Sequence, residues 1–414
     1  MINFEKFQLD NGLRVIVHED KSTPMIVLDV MYDVGARDEH PGKTGFAHLF
    51  EHLMFGGSVN IPSYDEPLQM AGGENNAYTT NDLTNYYCQL PAENIETAFW
   101  LESDRMLSLA FDENSLEVQR KVVSEEFKEH YINKPYGDVW HKLRALAYKE
   151  HPYKWMTIGQ ELSHIENATL ENVKDFFFEH YTPSNAVLTV AGNINAAHAK
   201  ELAIKWFGDL PAGNKYNRNI PREPRQTEPN FQEVTADVPL DALYKCWHVC
   251  DRLDPRYYAM DLITEILGSG ASSRLYEKLV KEKQLFSHIS CSHTGSADPG
   301  LLVIEGKLIR GISIEEGEKA VMEEVEKIKM EKVTDIELEK VKNKVESMLA
   351  FEDISLMNRA DNLANYEILG NAQLINEELS HYFAVTAEDI HRESANIFVE
   401  TNCSTLYYRS KKLL

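Results

Sequence analysis

At 414 residues, 43% of them hydrophobic and 26% charged, the chain is long enough for two or more domains with sizeable cores. Its formal net charge of −24 excludes a nucleic-acid binder, whose phosphate partner demands a basic footprint, and disfavours an anionic membrane surface. No apolar run approaches the roughly 20 residues of a membrane helix, and five scattered cysteines, an odd number, exclude a fully paired disulfide scaffold.

Residues 1–6 lack the basic-then-apolar pattern of a secretory signal, so the expected location is the cytoplasm, or the periplasm for a chain whose leader has been removed. A hairpin is predicted around Asn11 and Gly12. Residues 45–55 then read as an apolar helix stopped by Gly56 and Gly57, interrupted by three ionisable groups at His48, Glu51 and His52. Positions i, i+3 and i+4 lie one above the other at helical pitch, so both imidazoles can grip one ion. Burying such groups on an apolar helix costs several kcal/mol each unless they are paired or bound to a metal, and the His-x-x-Glu-His order is the inverted zinc-peptidase pattern.

Gly72 and Gly73 break the chain, and residues 75–87 read as two strands with a turn at Asn81 and Asp82. Helices are expected to fill residues 93–149. One, over about 112–132, should point Leu116, Val122, Val123 and Phe127 to one side. A catalytic zinc needs three protein ligands and an open position, and Glu126, at the edge of that apolar face, is the best placed third donor; periodicity leaves Glu129 open.

An internal repeat organises the rest. Thr169-Leu170-Glu171-Asn172-Val173 matches Thr386-Ala387-Glu388-Asp389-Ile390, and Ser184-Asn185 matches Thr401-Asn402, both 217 residues apart and both leading into β-rich segments. Two homologous halves follow, with a proline-rich linker at 208–230 and an α+β architecture of antiparallel sheets backed by helices. In the second half, residues 243–250 alternate like a strand that would put Cys246 and Cys250 on one buried face.

His48, Glu51 and His52, followed some seventy-five residues later by Val122-Val123-Ser124-Glu125-Glu126, resemble the pitrilysin and mitochondrial-processing-peptidase family of zinc metallopeptidases. Asn76-Ala77-Tyr78-Thr79 with Thr84-Asn85-Tyr86-Tyr87, Pro135-Tyr136-Gly137-Asp138, and His151-Pro152-Tyr153 through Ile158-Gly159 extend the match. The resemblance implies one Zn2+ per chain held by His48, His52 and Glu126, the last preferred over Glu129 because it closes the family's Val-Val-x-x-Glu pattern. It implies Glu51 as general base, and an edge strand at Asn76, Ala77, Tyr78 and Thr79 to which an extended peptide substrate adds. Gln119 departs from the pattern at a position where relatives often carry a glutamate that supports the ligands. The implied fold is two homologous α/β-roll domains: a catalytic zinc-binding domain at 1–207, the linker at 208–230 and an inactive domain at 231–414.

The second half offers Met260, Ile263 and Thr264 where His48, Glu51 and His52 would align. In the family two such double units close like a clamshell, and an inactive domain supplies an Arg and a Tyr to the substrate. Here Val280 and Ser287 stand at those positions, with Lys281 and His288 beside them. The expectation is a zinc endopeptidase acting as the catalytic half of a heterodimer with a zinc-free homologous subunit, or as a homodimer. The competing reading is a non-catalytic structural or binding subunit, but such relatives typically lose the ligands or the base, and this chain keeps all four.

Overall fold

A computed structural model describes residues 1–214 and 216–411. Two compact units each draw on three segments of chain: Met1–Glu129, Trp155–Ile220 and Ala350–Glu377 in the first, and His130–Lys154, Pro221–Leu349 and Glu378–Leu414 in the second. The first unit holds a six-stranded sheet of β1 (Glu5–Gln8), β2 (Arg14–Glu19), β3 (Met25–Tyr32), β4 (Glu74–Thr79), β5 (Thr84–Pro91) and β6 (Ala186–Gly192), ordered β1-β2-β6-β3-β5-β4. The second holds β7 (Asn230–Ala236), β8 (Ala242–His248), β9 (Phe286–His293), β10 (Leu301–Leu308) and β11 (Cys403–Ser410), ordered β7-β11-β8-β10-β9. Every pairing is antiparallel except β2 with β6 and β7 with β11. This is the expected α+β architecture of helix-backed sheets.

The helices that position the site and display the repeat are α1 (Phe46–Leu53), α2 (Glu113–Phe127), α3 (Val139–Ala147), α4 (Leu170–His180), α5 (Tyr257–Gly268), α6 (Leu356–Ile368) and α7 (Ala387–Ile397). The repeat is physical as well as textual. Thr169 and Thr386 cap α4 and α7, each hydroxyl accepting a backbone N–H three residues on. At the far ends, Asn185 donates to His180 O at 2.9 Å and Asn402 to Ile397 O at 3.1 Å.

The contiguous division at 207 and 231 is not how the chain partitions. Helix α3 from the first half packs across β8 and β11, and α6 from the second half packs across β3 and β6. Both crossings obey the repeat, since α3 and α6 begin 217 residues apart. An amphipathic pattern says that a helix has an apolar face but not which sheet it covers; the expected boundaries therefore missed the exchange. Lys215 and residues 412–414, within the expected linker and second domain, lie outside the described residues. Cys250 is a second correction. Strand β8 ends at His248, so Cys250 falls outside its alternation and packs with Trp247 and Val249, whereas Cys246 packs with Tyr244 on the other face.

On the first sheet, Leu363 and Ala364 of α6 are fully buried with Ile16, Met31 and Val187. A polar network lies under the same helix: Asn85 donates to Asp29 at 2.7 Å and to Asp361 of α6 at 2.8 Å, and Tyr78 donates its hydroxyl to Asp361. Burial, then the nearby Asp361, pushes the Asp29 carboxyl well above the usual range, and burial raises Asp361 as well.

Leu363→Ala should destabilise the protein by about 2–5 kcal/mol. Hydrogen exchange should show the loss of protection in β3 and β6; loss confined to the second sheet would contradict the packing. A carboxyl whose folded pKa is raised binds a proton in the folded state that the unfolded chain has released. Its contribution therefore falls as pH rises above about 4, by up to about 1.4 kcal/mol per pH unit, until the folded pKa is passed. Asp29→Asn should accordingly gain stability relative to wild type from pH 5 to 8 in urea titrations. Parallel stability curves would show that Asp29 titrates normally.

Candidate metal centre

Helix α1 starts at Gly45, whose φ of +90° and crowded surroundings admit no side chain: a Cβ there would lie 2.6 Å from Ile165 Cδ1 and 2.7 Å from Ile158 O. Its first backbone donors are met from upstream. Glu39 accepts from Gly45 N at 2.8 Å and from Ala47 N at 2.9 Å, placing a carboxylate at the positive end of the helix. Glu39 is buried, and burial pushes its carboxyl well above the usual range.

The apolar face of α1 is Phe46, Ala47, Leu49, Phe50 and Leu53, all buried. Phe50 stacks on Phe176 and Phe177 of α4 and on the adjacent Tyr181, with centroids 5.4, 6.1 and 5.1 Å apart. With that face committed, His48, Glu51 and His52 occupy the half-buried side.

Helix α2 packs against α1 and brings Glu126 to the two imidazoles. Its N-cap is Asp112, and it runs into a wider π-helical turn at Lys128–Ile132. Leu116, Val123 and Phe127 are buried as expected, but Val122 is 44% exposed because it lies about 100° round the helix from Val123. Glu129 is exposed, and the clustered donors are those of His48, His52 and Glu126. Gln119 sits two turns before Glu126, half-buried.

Glu126 Oε2 lies 3.7 Å from His48 Nε2 and 3.5 Å from His52 Nε2, and one donor atom from each residue falls within 4.8 Å of the others. The distances are too long for good hydrogen bonds. They resemble the edges, about 3.3–3.6 Å, of a tetrahedron with metal–ligand bonds of about 2.0–2.2 Å. His48 Nδ1 is buried without a hydrogen-bond partner among the described residues, an orphaned polar atom on one of the three donor side chains. Burial lowers the pKa of His48 against the opposing pull of Glu126, favouring the neutral imidazole that a metal requires. Two imidazoles and one carboxylate suit zinc, and this is the only such cluster of three among the described residues.

Glu51 lies alongside, accepting from Thr79 Oγ1 at 2.7 Å. Thr79 ends β4, which is the edge strand of its sheet. Ala77 and Thr79 alternate with Asn76 and Tyr78; the Tyr78 hydroxyl reaches Asp361 under α6, so only its backbone belongs to the open strand edge. In the second unit, Met260, Ile263 and Thr264 of α5 are buried in the core. Lys281 pairs with Glu277 at 2.6 Å, and His288 is exposed on β9.

Sequence reasoning missed Glu39, whose six-residue separation from Gly45 in a loop carries no periodic signal. It also missed buried Arg105, which bonds Glu102 at 2.5 Å and lies over the Tyr64 and Tyr86 rings at 4.4 Å each.

Residues 14–161 match the family "Insulinase (Peptidase family M16)" and residues 167–345 match "Peptidase M16 inactive domain". A relative from Helicobacter pylori named zinc protease PqqE is 34% identical over 69% of this chain, a stretch spanning 66% of that relative's length, just under two thirds. The mitochondrial-processing peptidase subunit beta of Saccharomyces cerevisiae is 29% identical over 49% of this chain and 44% of its own. The crystal structure of a protease from Helicobacter pylori superposes with a TM-score of 0.93 at 29% identity, covering 99% of this chain and all of that one. With an M16 match in each half and a shared fold along the length, this chain belongs to peptidase family M16.

Proposed function

We propose that the chain is a zinc-dependent endopeptidase with His48, His52 and Glu126 as ligands and Glu51 as general base. The observation that carries this reading is the convergence of those three donors within 4.8 Å, with Glu51 one helical turn from His48 and next to His52. A zinc ion held there would lower the pKa of its bound water toward neutrality and polarise the scissile carbonyl. Glu51 takes the proton of the attacking water and delivers it to the leaving amine. Strand β4 offers an unpaired edge, so an extended peptide binds through main-chain hydrogen bonds along Asn76, Ala77, Tyr78 and Thr79 with little demand on its sequence. The excess of acid favours cationic peptides through long-range attraction.

The second unit contributes no metal cluster among its described residues, and Val280 and Ser287 take the places where the resemblance puts an Arg and a Tyr. A relative is named as the beta subunit of a processing peptidase. Both support a catalytic subunit that works with a second, zinc-free homologous chain. Five free cysteines fit a reducing compartment such as the cytoplasm, and no helix among the described residues is long and apolar enough to cross a membrane.

Glu51→Gln should keep its zinc, measured by atomic absorption, and lose about 10²–10⁴-fold in kcat; alanine at His48, His52 or Glu126 should lose the metal. A Glu51→Gln protein that still turns over would sink the assignment of the base. The chain purified alone and zinc-loaded should cut a mixed peptide library poorly, and adding a zinc-free homologous subunit should restore cleavage. Efficient cutting by the chain alone, absent from the Glu51→Gln control, would refute the need for a partner.

A further inference from the structure

We infer that Thr79 is a positioning residue that couples the docking strand to the general base. The inference rests on the reading of Glu51 as base and gives the Thr79 side chain a role beyond the main-chain hold on substrate. A threonine hydroxyl carries a single proton, and here it is donated to Glu51 Oε2 at 2.7 Å. The terminal torsion of a glutamate is broad, so one charge-assisted hydrogen bond decides which way the carboxylate plane faces. With Oε2 held, the other oxygen is left to receive the proton of the attacking water.

Thr79 is itself held from the inner side of the sheet. Strand β4 pairs with β5 in the register Asn76↔Tyr87, Ala77↔Tyr86, Tyr78↔Asn85 and Thr79↔Thr84, which sets the face that Thr79 presents. The neighbouring Tyr78 is tied through its hydroxyl to Asp361, and Asp361 is tied through Asn85 to Asp29 in the centre of the sheet. On the outer side β4 has no strand partner, so a peptide that adds to it completes the ladder around the residue that orients Glu51. Productive docking and orientation of the base thereby share one element. A peptide bound out of register would leave the edge frayed and the carboxylate loosely held.

The test compares Thr79→Val, which keeps the β-branched shape, with Thr79→Ser, which keeps the hydroxyl. Both are assayed in the form of the enzyme that cleaves, alone or with its partner chain. Thr79→Val should lower kcat about 10- to 100-fold, the range typical of groups that orient a metal site, with KM and zinc content unchanged. Thr79→Ser should restore most of the rate. Peptide affinity is measured separately in the non-cleaving Glu51→Gln background, where adding Thr79→Val should leave Kd unchanged. An unaltered kcat in Thr79→Val, a loss confined to KM, a weakened Kd in the Glu51→Gln background, or a serine variant as impaired as the valine one would each overturn the inference while leaving the peptidase reading intact. Wild-type protein that cuts nothing in either form overturns both.

Discussion

The packing of Phe50 against Phe176, Phe177 and Tyr181 is the interaction on which the site depends. A helix of eight residues is too short to hold its own shape in water, so α1 exists because its apolar face is buried. That burial settles the rotation of the helix about its axis. Rotation by one residue would turn His48 and His52 onto the buried face and lift Phe50 into solvent, trading a buried aromatic ring for unpaired imidazoles. Glu39 supplies the complementary constraint along the axis by meeting the first backbone donors, and Gly45 permits the close approach of the loops beneath.

Polar groups accumulate where two elements must be held at a fixed offset. Beneath α6 the network of Asp29, Asn85, Asp361 and Tyr78 joins three strands and a helix. On the other face of the sheet Arg105 and Glu102 form a buried ion pair sandwiched by tyrosines. Each costs desolvation and is tolerated because removing one partner would strand the other. Both flank β5, the neighbour of the edge strand β4, so the sheet beside that edge is braced on each face.

The exchange of α3 and α6 between the sequence halves gives the tandem repeat a mechanical meaning. Each half lends a helix to the other's sheet, so a half-chain would leave a sheet face uncovered and its own helix without a surface to bury. The helix that carries two of the candidate ligands in the first unit corresponds to ordinary core in the second, with Met260 and Ile263 in place of ionisable groups.

Much of this was legible in the chain as written. The helical spacing of His48, Glu51 and His52 placed them on one face, the alternation and turn residues located β4 and β5, and the 217-residue repeat announced two like halves, because each depends only on local periodicity. Periodicity could not separate Glu126 from Glu129; the packing of α2 against α1 brings Glu126, and not Glu129, beside the two imidazoles. Nor could it place Val122 in solvent, tie Tyr78 to Asp361, bring Glu39 to the start of α1 or send α3 and α6 to opposite units. Those outcomes depend on which surfaces meet across tens to hundreds of residues, a choice made by packing and desolvation in the folded chain rather than by any pattern along it.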